Sequence, residues 1–216
     1  MKYLASLLLI FLLGGILCTA GCVGEEKSVP VAAGENITVQ FTGYIGDKVM
    51  VTSSTEKYNE LLKAGQMPTP LLLVENPVIT AGATTDDDYM TIPAKVGSSP
   101  FWLLPGEYNV MAANLVGMQK GETKLFPIYA SGTNTTSFWS NADCVNLSIT
   151  PSALKPGDMI TYTRTIGETG VDENGEFNTT AIETTQKMVR DMLVVSISAD
   201  GVTYQEIYDT IEMTVL

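Results

Sequence analysis

Apolar and polar side chains alternate along residues 37–45, "ITVQFTGYI", where Ile37, Val39 and Phe41 are separated by Thr38 and Gln40. A period of two belongs to a strand with one buried face. Gly46-Asp47 offers a two-residue turn, and Val49 and Val51 resume the alternation, so residues 37–51 read as a hairpin. Between residues 56 and 64 the period lengthens. Tyr58, Leu61 and Leu62 fall at helical spacing, and Gly65 stops the run. Residues 66–100 carry Pro68, Pro70, Pro77, Pro93 and Pro100 among scattered apolar runs, which predicts an irregular insertion with one or two short strands. A short helix is expected over 110–116, ended by Gly117, then a turn at Gly121 and a strand over 124–128. From residue 147 onward, "LKPGDMITYTRTI" and "DMLVVSISADGVTYQEI" read as alternating strands, the second split by a hairpin turn at Asp200-Gly201. The closing "DTIEMTVL" places Ile211, Met213 and Val215 on one face and Thr210, Glu212 and Thr214 on the other.

The first 21 residues behave differently. One positive charge precedes an apolar run over 3–17, and Thr19-Ala20-Gly21 lead to Cys22. This reads as a signal peptide over 1–21 whose cleavage exposes Cys22 for lipid attachment, with 22–33 as an anchored linker. It is similar to a lipoprotein signal, although Thr19 stands where a leucine is commoner. An uncleaved anchor helix over 3–20 is the other reading, at a length marginal for a membrane span. Both readings tether the rest of the chain to the outer face of the cell membrane.

Charge and composition narrow the chemistry. The chain has 12 Lys and Arg against 24 Asp and Glu, which argues against a nucleic-acid partner because phosphate binding needs a basic surface. It has no histidine, which removes His-based triads, His general bases and most zinc sites. Of three cysteines, Cys18 and Cys22 belong to the leader, leaving Cys144 without an intramolecular disulfide partner and best read as a small buried apolar residue. "TTDDDYM" reads as a solvated acidic loop, since the alternating oxygen ligands and distal Glu of a calcium loop are missing, and "VDENGEF" as a turn. No metal or cofactor is expected. N-x-[ST] sequons at Asn36, Asn134, Asn146 and Asn178 suit an exported glycoprotein.

Two blocks of residues resemble the FKBP-type peptidyl-prolyl isomerases. The run Phe41-Thr42-Gly43-Tyr44-Ile45-Gly46-Asp47-Lys48-Val49-Met50-Val51-Thr52-Ser53-Ser54 follows the family pattern Y-T-G-x-L-x-D-G-x-x-F-D-S-S without a gap. Pro100-Phe101 and Gly106, then Leu115-Val116-Gly117-Met118-Gln119-Lys120-Gly121-Glu122, match the second block, with one residue missing between Gly106 and the helix. The resemblance implies an α+β fold, an FKBP-like antiparallel sheet wrapped on a short helix over 34–128 plus 209–216, with 57–99 as an insertion. Residues 129–208 sit where long, SlyD-like members carry a mostly β subdomain in the flap, although "QEIYD" replaces the family's His-containing loop.

The resemblance also implies a site. Phe41, Val51, Thr52, Phe101 and Met111 would form the substrate pocket, and the Tyr108 backbone N–H would bind the substrate carbonyl. Ser131 falls at the flap tyrosine. Phe41 lacks the family's hydroxyl, Val51-Thr52 replace Phe-Asp, and Met111 replaces an aromatic floor. Isomerising an X-Pro bond over its barrier of roughly 18–20 kcal/mol needs neither metal nor nucleophile, only an apolar pocket and a few hydrogen bonds. Two functions follow. One is a membrane-tethered prolyl isomerase acting in protein folding on proline-containing polypeptides or unfolded proteins. The other is a catalytically degenerate lipoprotein that binds polypeptides as a chaperone or envelope interaction module.

Overall fold

Strand β1, Asn36–Ile45, returns through Gly46-Asp47 into β2, Lys48–Thr52. Gly46 takes a φ of 59°, the left-handed geometry that favours glycine in this turn. The computed structural model describes residues 29–65, 72–86, 90–130, 132–171 and 177–216, the side chains of 166–186 excepted. The leader with Cys22, Ser131, the middle of the acidic 84–90 loop and the 172–176 turn lie outside them. So does the side chain of Asn178.

Ser54 starts helix α1, Thr55–Lys63, by accepting from the Lys57 N–H at 3.2 Å. Three short strands follow: β3 (Leu72–Leu73), β4 (Val78–Thr80) and β5 (Met90–Ile92). The proline-rich stretch therefore holds one strand more than its apolar runs indicated. Strand β6, Phe101–Leu103, leads into α2, Pro105–Leu115. This helix begins five residues earlier than the apolar spacing predicted. Pro105 presets the first helical φ, and the Glu107 carboxylate accepts from the Leu104 N–H at 3.1 Å, so the local chemistry starts the helix before its apolar face does.

The chain continues through β7 (Thr123–Pro127), β8 (Thr136–Ser140) and a one-and-a-half-turn helix α3 (Asn141–Asn146). Long strands β9 (Met159–Val171) and β10 (Phe177–Ile197), then β11 (Gly201–Gln205) and β12 (Thr210–Val215), complete it. The architecture is α+β, with two mixed sheets and few helices.

The first sheet runs β3-β2-β1-β12-β7, with β4 also on β1. The carboxy-terminal strand lies antiparallel beside the opening one, Phe41 opposite Met213 and Val39 opposite Val215. Ile211, Met213 and Val215 are buried and Thr210, Glu212 and Thr214 are not, the two faces the alternation predicted. The second sheet runs β5-β6-β10-β11-β8, with β9 on β10. It recruits β5 and β6 from before residue 129, so the sheets do not divide the chain as the 129–208 boundaries would. Cys144 is buried in the core of this second sheet, as its solitary status suggested.

Gly201 holds the β8–β11 edge together. A Cβ there would lie 2.0 Å from the Trp139 carbonyl oxygen, a backbone atom that cannot swing away. Gly201→Ala is expected to destabilise the protein by about 1–3 kcal/mol or more, as overpacking does. Chemical denaturation checks it, and an unchanged midpoint would show that the strands part freely.

Candidate functional site

Three elements bring the expected pocket residues together. β1 supplies Phe41, β2 supplies Val51 and Thr52, and the β6–α2 segment supplies Phe101 and Met111. Phe41, Val51, Phe101 and Met111 share one core cluster, each at most 1% exposed. They form a filled interior, not an open concavity. The Phe41 and Phe101 rings lie 6.4 Å apart.

What fills the space comes from residues to which no role was assigned in advance. Tyr208 stacks parallel to Phe101, with centroids 6.4 Å apart at an interplanar angle of 12°. The Arg190 guanidinium sits 4.3 Å from the Tyr208 ring centroid and 5.3 Å from that of Phe101. Gly43 on β1 makes room, since a Cβ there would stand 2.6 Å from Cδ2 of Tyr208.

A buried ion pair fixes this arrangement. Arg190 donates through Nη1 and Nη2 to both carboxylate oxygens of Glu107, and both side chains are fully buried. Its remaining bonds go to the Trp102 carbonyl at 2.9 Å and the Glu206 carbonyl at 2.8 Å from Nη2 and 3.2 Å from Nε. Glu107 also accepts from the Tyr208 N–H at 3.2 Å. Burial by itself would lower the guanidinium's pKa, but the facing Glu107 charge outweighs it and the net shift is upward. Burial also holds the Tyr208 hydroxyl protonated, well above its ordinary value. That hydroxyl has no hydrogen-bond partner.

The Tyr108 N–H is not free for a substrate carbonyl. Because α2 starts at Pro105, this group lies inside the first turn and donates to the Leu104 carbonyl at 3.0 Å. The Tyr108 hydroxyl faces β4 instead, accepting from the Thr80 N–H at 3.4 Å. The expected role fails because the helix reaches further back than its apolar pattern.

The hydroxyl cluster at 52–54 is likewise occupied. Thr52 Oγ1 lies 2.9 Å from Thr42 Oγ1, and Ser53 Oγ accepts from the Phe41 N–H at 2.7 Å. Thr52 is wholly buried and presents no polar group to a ligand. These hydroxyls knit the first hairpin together.

Space opens to either side of these elements. A cleft of about 170 Å³ between α1 and the outer face of the first sheet is lined by Thr42, Ser54, Glu56, Lys57, Glu60 and Glu212 among others. A cavity of about 200 Å³ is lined by Tyr129, Ala130, Thr133, Thr135, Tyr208 and Asp209, with Gly132 completing it. The described residues contain no group of three or more His, Cys, Asp or Glu side chains fit to hold a metal, and no helix among them is long and apolar enough to cross a membrane.

Of the sequons, Asn36, Asn134 and Asn146 are exposed. Asn134 Oδ1 accepts from both the N–H and the hydroxyl of Thr136, at 3.1 and 2.8 Å.

No family model matches the chain, and no curated protein matches it. Arg190 and Asp191 did carry a signal, a charged pair inside the otherwise apolar run "MVRDMLVV". Charges on a strand buried on both faces need partners, but nothing in the sequence names Glu107 or Tyr208.

Proposed function

We propose that this protein is a membrane-tethered, extracytoplasmic FKBP-like module that holds polypeptide segments and does not catalyse prolyl isomerisation in its resting state. The kinship is supported by the hairpin, by the helix after Phe101 and by the closing strand lying beside β1. The observation that carries the functional reading is the filled hollow. Phe41, Phe101 and Met111 have no exposed surface to offer a proline ring, and the Tyr108 N–H is already spent.

Strand edges support the binding role. On β8 the Thr136 N–H donates to Asn134 Oδ1 and the Ser140 N–H to Asp143 Oδ2. On β7 the Ile128 N–H meets the Asp209 carbonyl and the Val215 N–H meets that of Glu122, so even-numbered residues face β12. The N–H groups of Thr123 and Leu125 then point outward, and no strand pairs with that side among the described residues. Leu125 is 64% exposed. An extended segment can add to such an edge through main-chain hydrogen bonds.

A protease-coupled assay on X-Pro peptides is expected to give turnover equal to buffer. The same full-length chain, in detergent micelles, is expected to slow aggregation of an unfolded client. Isomerisation clearly above buffer with several peptides would contradict the first half. Unchanged client aggregation would contradict the second.

A further inference from the structure

One row of side chains crosses the outer face of the first sheet. Thr42 on β1 lies opposite Glu212 on β12, and Glu212 lies opposite Leu125 on β7. Residues directly opposite in an antiparallel ladder project to the same face, so the three stand side by side. The buried Phe41, Met213 and Phe126 alternate to the other face. The row ends at Leu125, 64% exposed, on the edge where the Thr123 and Leu125 N–H groups point away from β12.

Behind Leu125 the row is acidic. Glu212 lines the cleft of about 170 Å³ together with Glu56 and Glu60 of α1, against the ammonium of Lys57. Glu56 and Glu60 stand one helical turn apart and repel each other. Among the described residues none of these three carboxylates belongs to an ion pair. Lys124, next to Leu125, projects to the other face and pairs with Glu122 at 3.5 Å.

A strand added to β7 puts its residue across from Leu125 about 10 Å from the Glu212 backbone, two strand spacings away. An arginine there lays its apolar stem along Leu125 and carries its guanidinium to Glu212. The planar fork suits a carboxylate, and the chain's 24 acidic against 12 basic residues draw a cationic segment toward it. An acidic residue at the same position meets repulsion.

We infer that the β7 edge docks a basic extended polypeptide, selected by an arginine that crosses Leu125 to Glu212 and the acidic cleft beside it. This rests on the strand-addition reading of the holding role and names the chemistry of the segment held. Main-chain hydrogen bonds supply the attachment, and the Leu125–Glu212 pair supplies the choice.

The test titrates the full-length chain in micelles with the peptide acetyl-Thr-Val-Thr-Arg-Thr-Val-Thr amide and with versions carrying glutamate or norleucine in place of the arginine. The arginine peptide is expected to bind about five-fold or more tightly than the glutamate one. That preference should vanish between about 0.01 M and about 1 M salt. Glu212→Gln should lower the arginine peptide to the affinity of the norleucine one. Leu125→Pro removes an outward donor, as an edge strand tolerates, and should weaken all three. If Leu125→Pro lacks a cooperative unfolding transition, the arginine peptide N-methylated at alternate residues replaces it, and undiminished affinity in both alternate sets overturns edge docking. Equal affinities for the three peptides, all weakened by Leu125→Pro, overturn the selection by charge and leave the edge standing. A preference unchanged by Glu212→Gln overturns the assignment to that carboxylate. Slowed client aggregation in a chain that binds none of the peptides sinks this inference alone, and selective peptide binding without client protection sinks the holding role alone.

Discussion

Replacing Glu107 by glutamine is expected to cost about 3–5 kcal/mol of stability, because it leaves the Arg190 guanidinium buried beside a neutral amide. In a chain of this size that corresponds to a fall in Tm of about 6–20 °C. Both side chains are fully buried, so solvent cannot screen the loss. Arg190→Met by itself should also destabilise, since it strands the Glu107 carboxylate and the Trp102 and Glu206 carbonyls. The double variant Glu107→Gln/Arg190→Met should recover part of the loss, and the resulting cycle isolates the coupling between the two groups. Thermal unfolding of the four proteins gives the answer. Single variants within about 1 kcal/mol of the wild type would mean the pair is dispensable, and would remove the clamp that holds the Tyr208 backbone.

Asp191, next along β10, should make stability depend on pH. Its side chain is buried, Oδ1 accepts from the Thr161 hydroxyl at 2.6 Å, and Oδ2 has no partner. Burial pushes the carboxyl up to about 7, against the lowering pull of the Thr161 bond and the Arg190 charge. Between the ordinary carboxylate value of 3.8 and about 7 the native state keeps the proton and the unfolded state has lost it. Stability therefore falls as pH rises through that window. The full effect is on the order of 4 kcal/mol, present below the window and gone above it. Asp191→Asn, which cannot ionise, should flatten this slope and unfold at higher denaturant than the wild type at pH 8. Denaturation midpoints at pH 5 and pH 8 report it, and parallel pH dependences in the two proteins would exclude Asp191 as the source.

Much of the scaffold was legible because strand and helix periods are local. Phe41 and Val39 on one side, and Met213 and Val215 on the other, declared their faces through alternation, and the sheet places them opposite each other. Gly46-Asp47 and Asp200-Gly201 declared their turns. The start of α2 was missed because the apolar spacing begins late, while Pro105 and Glu107 start the helix by capping chemistry. That difference moved the Tyr108 N–H from a free donor to a helical one.

The state of the site was not legible. An open pocket and a packed core need the same apolar residues at the same spacing, so Phe41, Val51, Phe101 and Met111 fit both. What separates the two outcomes is a tyrosine 101 residues beyond the glutamate that binds its N–H, and an arginine 83 residues from that same glutamate.

By itself the sequence determined the acidic, histidine-free chemistry, the strand faces and the hydroxyl and glycine turns, since each depends on neighbours a few residues away. Only the tertiary structure decided that the hollow is filled, by the Tyr208 ring and the Arg190 guanidinium beside Phe101. Contacts between distant segments are set by how the sheets close on one another, which no local period encodes.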